Sequence, residues 1–548
     1  MSQQIDLEIP LGKRTHLYRF FEILPGLLSF MFLLLPIVLA LIDPLISAIF
    51  IIIYIITYII RAIAVAARTL QGYRVMKEAQ NIDWRQRLLD LQNPHEALKK
   101  IGYTSRLRWH EQEHIHNLQR LSKKNDHPRP VAIINVVIIA TYNELYETLE
   151  STIKTVIDGS FPARQIILVV AYEGRGPEST QHAAQALVKK YRKDFLMATA
   201  IKHPQGLEGE VIGKGGNIAY AAKKLSKKLV KEGIEQDNVI ITTLDADNKP
   251  HRSYLSYLSY EFIAAEKRHN RAYQPLALYL TNIWDVPAPM RVLATGNSFW
   301  TIINALRPHA LRNFAAHSQS LRSLQQTNFW STRSIVEDGH QYWRSYFSFK
   351  GDYEVVPLYV PIYQDAVLSD TYLKTFKAQF LQLRRWAYGA SDIPYVASLL
   401  FTKNRQVPFW PAFARLIRLI DGHVSWASGA IILALAAWAP LIFATDASRS
   451  LTAHALPSFA SRLQTVALLG MFISVFLAMK MLPPRPARYK RRRTVMMVLQ
   501  WALMPVTPIV YGSSAAIYAQ FRLLTGRYLD KFDVTDKALV TESGDKIR

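Results

Sequence analysis

Two apolar runs near the start of the chain, residues 24–42 and 45–60, constrain its fold more than any other feature. Each is close to the ~20 residues a helix needs to cross about 30 Å of hydrocarbon. Only Asp43 and Pro44 separate them, which predicts a membrane-spanning helical hairpin. A cleavable leader fits poorly, because its apolar core is short and here a second span follows at once. Residues 425–444 and 463–482 are two further candidate spans, and 495–524 is longer than one crossing requires. Lys13, Arg14 and Arg19 precede the first span, and Arg485, Arg488, Lys490, Arg491, Arg492 and Arg493 crowd the loop after the fourth. Basic flanks belong on the cytoplasmic side, which places 61–420 there and leaves 445–462, with only Arg449 and Arg462, outside. The last stretch is basic at both ends, with Arg522, Arg527, Lys531 and Lys537 after it, and Pro505 and Pro508 interrupt its helix ladder. It predicts a bent or re-entrant pair of short helices that returns 527–548 to the cytoplasm, the alternative being one long tilted crossing with an external tail.

The expected organisation is an N-terminal transmembrane hairpin (1–67), cytoplasmic linker or interface helices (68–130), an α/β domain (131–400), an amphipathic interface segment (401–420), a C-terminal transmembrane region (421–526) and a cytoplasmic tail. Such a chain is a multi-pass protein of the cell (inner) membrane. The 68–130 segment, with Arg106, Arg108 and Trp109, reads as a helix along the membrane surface. A formal net charge of +24 would ordinarily suggest nucleic acid. With no zinc-finger spacing or basic heptad region, attraction of juxtamembrane Lys and Arg to anionic lipids and to acidic substrates accounts for it better. The chain has no cysteine, which excludes disulfides and thiolate chemistry.

Within the α/β domain, 131–140, 165–171, 197–202 and 239–244 read as strands and 145–157, 180–192 and 217–231 as helices. Strand-helix repetition with continuous apolar strands predicts a mainly parallel sheet covered on both faces. Ligands of such sheets bind at the carboxyl ends of the strands. Thr141, Tyr142, Asn143 and Glu144 follow the first strand, Glu173 the second, and Asp245-Ala-Asp247 the last. Residues i and i+2 of a strand share a face, so Asp245 and Asp247 could offer hard oxygen ligands to Mg²⁺ or Mn²⁺ on a diphosphate; a solvated turn is the plain alternative.

Gly213-Lys214-Gly215-Gly216-Asn217 looks like an anion cradle opening a helix, against the alternative of an ordinary glycine-rich turn. It is not a P-loop, since Glu208 stands where the first glycine belongs and Gly215 follows the lysine. Gln382, Arg385 and Trp386 share one face of a helix over 373–389. Arg385 presents a fork suited to phosphate oxygens and Trp386 a ring face for a sugar, or the two anchor at the membrane interface. Glu337-Asp338 offers a carboxylate base or simply starts a helix. His110, His114 and His116 lack partners at ligand spacing and read as surface residues; for His251 and His340 a positioning role or none is expected.

Taken in order, Thr141-Tyr142-Asn143-Glu144, Asp245-Ala-Asp247, Glu337-Asp338 and Gln382-Leu-Arg-Arg385-Trp386 resemble the motifs of membrane-bound family-2 glycosyltransferases, the group containing cellulose, chitin and hyaluronan synthases. The resemblance implies a GT-A, Rossmann-like fold in the cytoplasmic domain, flanked by transmembrane helices. It implies Asp247 on the metal with Asp245 nearer the nucleotide, Asp338 as general base with Glu337 beside it, and Lys214 on the diphosphate. Thr141, Tyr142, Glu144 and Glu173 fall to the nucleotide, and Gln382, Arg385 and Trp386 to the diphosphate and acceptor. Thr295 to Trp300 fall where relatives line the acceptor site. Where many relatives carry an Asp-rich turn for the base, this chain has Ala171-Tyr172-Glu173-Gly174-Arg175.

The expected function is an inverting, metal-dependent hexosyl- or N-acetylhexosaminyltransferase that builds a glycan from a nucleotide sugar at the cytoplasmic membrane face. Transfer of one sugar to a polyprenyl phosphate or other lipid acceptor is the alternative, and a non-catalytic glycan-binding membrane protein a more distant one. The expected partners are a nucleotide-sugar donor, a glycan or lipid-linked acceptor and membrane lipids, not nucleic acid.

Overall fold

The structure is a computed structural model and describes residues 7–101, 108–124, 126–444, 451–529, 538–540 and 546–547. Arg106, Arg449, Lys531, Lys537 and most of the expected tail lie outside the described residues. The chain forms two compact units. The first comprises 1–9, 75–278 and 307–364; the second comprises 10–74, 279–306 and 365–548.

The first unit is built on an eight-stranded sheet: β1 (Ile134–Thr141), β2 (Ile166–Glu173), β3 (Met197–His203), β4 (Val239–Asp245), β5 (Lys249–Pro250), β6 (Arg271–Leu278), β7 (Ser318–Ser320) and β8 (Glu354–Tyr363). Their order is β3-β2-β1-β4-β7-β6-β8-β5. The first four run parallel, and β7 and β5 pair antiparallel with their neighbours. The sheet is therefore mixed: parallel across the half that the sequence marks out, with an extension of strands it does not. Helices Tyr146–Ile157, Glu178–Tyr191 and Tyr254–Ala264 cover one face, packed on Val137, Ile139, Leu168 and Val170. Helix Lys214–Lys231 covers the other, with Ile218, Ala222 and Leu225 on Val136, Ile138 and Val169. Burial on both faces is why β1 and β2 read as unbroken apolar runs.

The expected linker region contributes three helices, Trp84–Asp90, Pro94–Ile101 and Trp109–Lys124, to the first unit. Trp84 stacks on Tyr257 at a centroid distance of 3.5 Å, and its indole N–H donates to Ala79 O. His110 and His114 are buried, not on the surface: His110 accepts from Arg87, and His114 bonds Tyr260 and Asp90.

In the second unit four helices are long and apolar enough to cross a membrane: His16–Ile42, Pro44–Gln80 (whose last turns belong to the first unit), Phe409–Phe443 and Ala453–Met481. Asp43 alone separates the first two, and side chains such as Leu41, Ile42, Ile60 and Ile63 point outward, as lipid-facing residues do. The fourth helix begins at Leu451, so much of the stretch expected as loop is helical. Arg491–Leu503 and Pro508–Thr525 are bent by 61°, with a π-helical stretch at Pro508–Ser513 where the prolines remove helix donors. Polar side chains tie the spans together: Ser29 donates to Gln520 at 2.6 Å, and Gln520 donates to His423 O at 2.8 Å. The basic loop before the bent pair is partly engaged by protein, since Arg488 and Tyr489 both reach Asp285 and Arg493 donates to Trp284 O.

Trp84→Ala should destabilise the first unit by about 3–5 kcal/mol, the range for emptying a buried tryptophan site, read as a lowered unfolding midpoint of the purified full chain. A change below about 1 kcal/mol would mean that these helices are a loosely docked linker after all.

Candidate functional site

The register of the parallel strands gathers the polar residues at one edge. Ala140 lies opposite Asp245, Thr141 opposite Tyr172, and Glu173 opposite His203. Past this edge, β4 stops at Asp245 because the chain turns: Asp245 N–H donates to Asn248 Oδ1, and Asn248 N–H donates to Asp245 O. Asp247 therefore sits in the turn, buried, and the expected strand-face alignment of the two aspartates does not hold.

Lys214 organises this edge. It is the first residue of helix Lys214–Lys231, and its ammonium lies 2.8 Å from Asp245 Oδ1 and 3.7 Å from Asp338 Oδ1. Burial works against the charge, yet Asp245, Asp338 and Glu337 outweigh it and hold the lysine pKa well above its ordinary value. Asp338 and Glu337 form the first turn of helix Glu337–Ser348, so the helix-start reading of that pair is correct and coexists with a place at the site. The two glycines after Lys214 are there for close approach. A methyl group at Gly215 would lie 2.5 Å from Ser331 O and 3.1 Å from Glu337 Cβ, and one at Gly216 2.9 Å from Glu210 Oε2. Asn217 donates to Ala171 O and pins the helix to β2.

Behind Asp338 stands His317, fully buried, with Nδ1 at 3.7 Å from Asp338 Oδ1. The Trp330 indole N–H can only donate, and it reaches His317 Nε2 at 3.0 Å. That assigns the ring proton to Nδ1, which donates to Phe314 O at 2.9 Å. Burial lowers the His317 pKa and agrees with a neutral ring.

A second histidine has the opposite state. His203 Nδ1 lies 3.2 Å from Glu173 Oε2, and Nε2 lies 3.0 Å from Glu210 Oε2. Burial opposes its charge, but the two carboxylates prevail and push the pKa up to about 9. Arg175 also contacts Glu173, at 3.3 Å, and its guanidinium lies over the Tyr142 ring. Glu144 folds back on its own turn, accepting from Thr141 Oγ1, Tyr142 N–H and Asn143 N–H. His251 lies in a turn and His340 is buried in helix Glu337–Ser348.

Asp245, Asp338, Glu337 and Lys214 are thus brought together, and Tyr142, Glu173 and Arg175 form a neighbouring group on the same edge. Gln382, Arg385 and Trp386 lie in the second unit, on helix Tyr372–Ala387. There Gln382 accepts from Gln379 at 3.1 Å, and the Trp386 ring lies 6.0 Å from that of Tyr279. Thr295 to Trp300 fall on helix Ala288–Ala305 of the same unit, with Phe299 buried and Trp300 exposed. His203, Glu210 and His317 are residues that sequence reasoning missed. Only His203, a histidine directly after a predicted strand, carried a local signal.

Among the described residues no group of three or more His, Cys, Asp or Glu forms a ready-made metal cage. Two carboxylates in one turn fit Mg²⁺ or Mn²⁺, which take few protein ligands and let phosphate and water complete the shell.

No family profile matches the chain, and no curated protein matches it in sequence. Among solved structures it is similar to a mannosyltransferase from Pyrobaculum calidifontis in complex with GDP-Man and Mn²⁺ (15% identity, 81% of this chain and 100% of that one, TM-score 0.38). It is also similar to S. aureus TarS 1-349 in complex with UDP-GlcNAc (13%, 76% and 99%, TM-score 0.34). A third is glucosyl-3-phosphoglycerate synthase from Mycobacterium tuberculosis (15%, 56% and 87%, TM-score 0.27). Likenesses this weak carry no argument about function.

The His203 clamp makes a pH prediction. Its folded pKa lies above the unfolded value, so its stabilisation is complete below about pH 6.5 and is lost as pH rises through about 9. The difference in unfolding midpoint between wild type and His203→Gln should be largest near pH ~6 and shrink toward pH ~10; a difference that grows with pH would contradict a charged clamp.

Proposed function

We propose that this chain is a membrane-bound, metal-dependent, inverting glycosyltransferase of the GT-A type that transfers sugar from a nucleotide-sugar donor to a growing glycan. One observation carries the reading: a single buried ammonium, Lys214, is shared by Asp245 and Asp338 at the carboxyl edge of the sheet. An edge that already holds a cation between two functional carboxylates suits a diphosphate on one side and a proton acceptor on the other. The ordered motifs add Gln382, Arg385 and Trp386 to the same reaction by resemblance.

Asp247 and Asp245 would hold Mg²⁺ or Mn²⁺, which when bound neutralises charge on the departing diphosphate. Lys214 is charged across the physiological range and supplies a second positive group for phosphate oxygens. The acceptor hydroxyl attacks the anomeric carbon as the bond to the diphosphate oxygen breaks. Asp338 takes the hydroxyl proton, and the nucleoside diphosphate leaves with the bonding pair. Neutral His317 packs 3.7 Å behind Asp338 without competing as a base, because its Nε2 lone pair accepts from Trp330. A single displacement with one base and no protein nucleophile inverts the anomeric centre. Glu173 and Arg175 are the candidates for the base and phosphates of the nucleotide.

The membrane arrangement we propose puts the catalytic unit in the cytoplasm and makes the bent pair re-entrant. Arg19, in the first turns of the first span, donates to Leu523 O at 2.6 Å and Leu524 O at 2.5 Å, the last carbonyls of the bent pair. Tyr528 donates to Glu22 at 2.9 Å beside them. If the four long helices each cross, the bent pair begins on the side where the first span begins. It also ends there, which is the path of a hairpin and not of a fifth crossing.

Asp338→Asn should lower turnover about 10²- to 10⁴-fold while nucleotide-sugar binding persists, because the amide keeps the shape but cannot take a proton. The assay is nucleoside diphosphate release from GDP-mannose, UDP-glucose and UDP-GlcNAc with Mn²⁺ or Mg²⁺, with and without membrane lipids. Near-normal turnover in that variant would remove Asp338 as the base. For topology, the native chain has no cysteine, so Arg527→Cys gives a single thiol; it should resist an impermeant maleimide in intact cells and react once they are opened. Labelling in intact cells would show a complete crossing instead.

A further inference from the structure

The chain's N-terminal strap, residues Leu7 to Ile9, is bonded into the first unit far from its own neighbours in sequence. Glu8 Oε1 receives Arg344 Nη2 at 2.7 Å, Glu8 Oε2 receives Ser331 Oγ at 2.6 Å, and Leu7 O receives Arg344 Nε at 3.0 Å. Arg344 is 1% exposed and lies on helix Glu337–Ser348, the helix whose first turn carries Asp338. Its remaining donors reach Phe329 O, Gln341 Oε1 at 3.2 Å and Thr327 O at 2.8 Å. All five guanidinium N–H groups are thus used. Two of them grip a turn in which Asn328 and Phe329 both have left-handed backbone, φ 55° and 65°. Consecutive non-glycine residues in that region are strained and persist only where the surroundings over-determine them.

The same turn feeds the site. Trp330 fixes the tautomer of His317, which faces Asp338, and Ser331 O closes on Gly215 beside Lys214. Resting on the reading of Asp338 as the base, we infer that Glu8 is a positioning residue for the transfer reaction: through Arg344 and Ser331 it holds the 327–331 turn, and through Trp330 and His317 it sets the place of the Asp338 carboxylate. Without the Glu8 carboxylate a buried guanidinium loses an anionic partner at 2.7 Å, the turn relaxes, and the base moves while the donor pocket around Glu173 and Arg175 stays as it is.

The test uses the full-length protein with Glu8→Ala, Glu8→Gln, Glu8→Asp and, as a control, Asp338→Asn. Glu8→Ala should lower kcat about ten- to a hundredfold, as sub-ångström to ångström misplacement does, with KM for the donor within about twofold of wild type. Glu8→Gln should fall between, and Glu8→Asp should recover part of the loss. Should Glu8→Ala fail to fold, Glu8→Gln decides. Hydrogen exchange adds a readout that needs no donor: amides 327–334 should exchange faster in Glu8→Gln while those of β1 and β4 do not change. If Asp338→Asn is inactive and the Glu8 variants keep wild-type kcat, or if 327–334 exchange as in wild type, the positioning role is wrong. If Asp338→Asn keeps turnover, the base assignment itself is wrong and this role goes with it.

Discussion

The ammonium of Lys214 between Asp245 and Asp338 is the interaction on which the polar edge of the first unit depends. Two carboxylates brought to one spot repel each other, and the buried ammonium between them offsets that repulsion. Its position is bounded by backbone. Gly215 and Gly216 allow helix Lys214–Lys231 to close on Ser331, Glu337 and Glu210, and Asn217 anchors it to β2. What reads in the sequence as a phosphate loop is therefore first a packing device that delivers one lysine. A side chain at Gly215 would push the helix off the Glu337 turn and pull the ammonium from Asp338.

The two histidines nearby show how the partners of a buried ring decide whether it is neutral or charged. Both are nearly inaccessible. His317 meets an indole N–H on one nitrogen and a carbonyl on the other, a set that only a neutral ring satisfies. His203 meets carboxylates on both nitrogens, a set that only an imidazolium satisfies. The edge therefore carries a fixed pattern of charge. The imidazolium and Arg175 balance the charge of Glu173 and Glu210, and the neutral His317 adds no charge beside Asp338.

The parallel half of the sheet was legible because its strands are buried on both faces and leave continuous apolar runs, as at 134–141 and 166–173. The other half was not. β7 is only three residues long, and β6 pairs with β8 across a register shift at Pro275 and Leu276 that breaks any simple period. The Asp245-Ala-Asp247 motif was found, but its geometry was misjudged, since the Asn248 side chain closes a turn that strand periodicity cannot foresee. His110 and His114 read as surface residues because their partners, Arg87, Asp90 and Tyr260, come from other helices. Glu8 had no local signal of any kind: Arg344 lies 336 residues away in sequence.

For helices long and apolar enough to cross a membrane, hydrocarbon would impose the strictest accounting, because backbone groups released at a helix end or a proline have no water to turn to there. The bent pair answers this with side chains. Its last carbonyls go to Arg19, Gln520 bonds Ser29 and the carbonyl of His423, and Ser513 donates to Trp426 O. Glu22, buried in the first span, is tolerable there only because Arg14, Arg19 and Tyr528 converge on its two oxygens. Arg19 thus serves two ends at once, the carboxylate of the first span and the carbonyls of the last helix. A single long crossing ending on the far side would take the last carbonyls away from Arg19 and Tyr528 away from Glu22, while Arg14 and Arg19, its near neighbours in sequence, would still pair that carboxylate; the carbonyls of the last helix are therefore what ties Arg19 to the hairpin path.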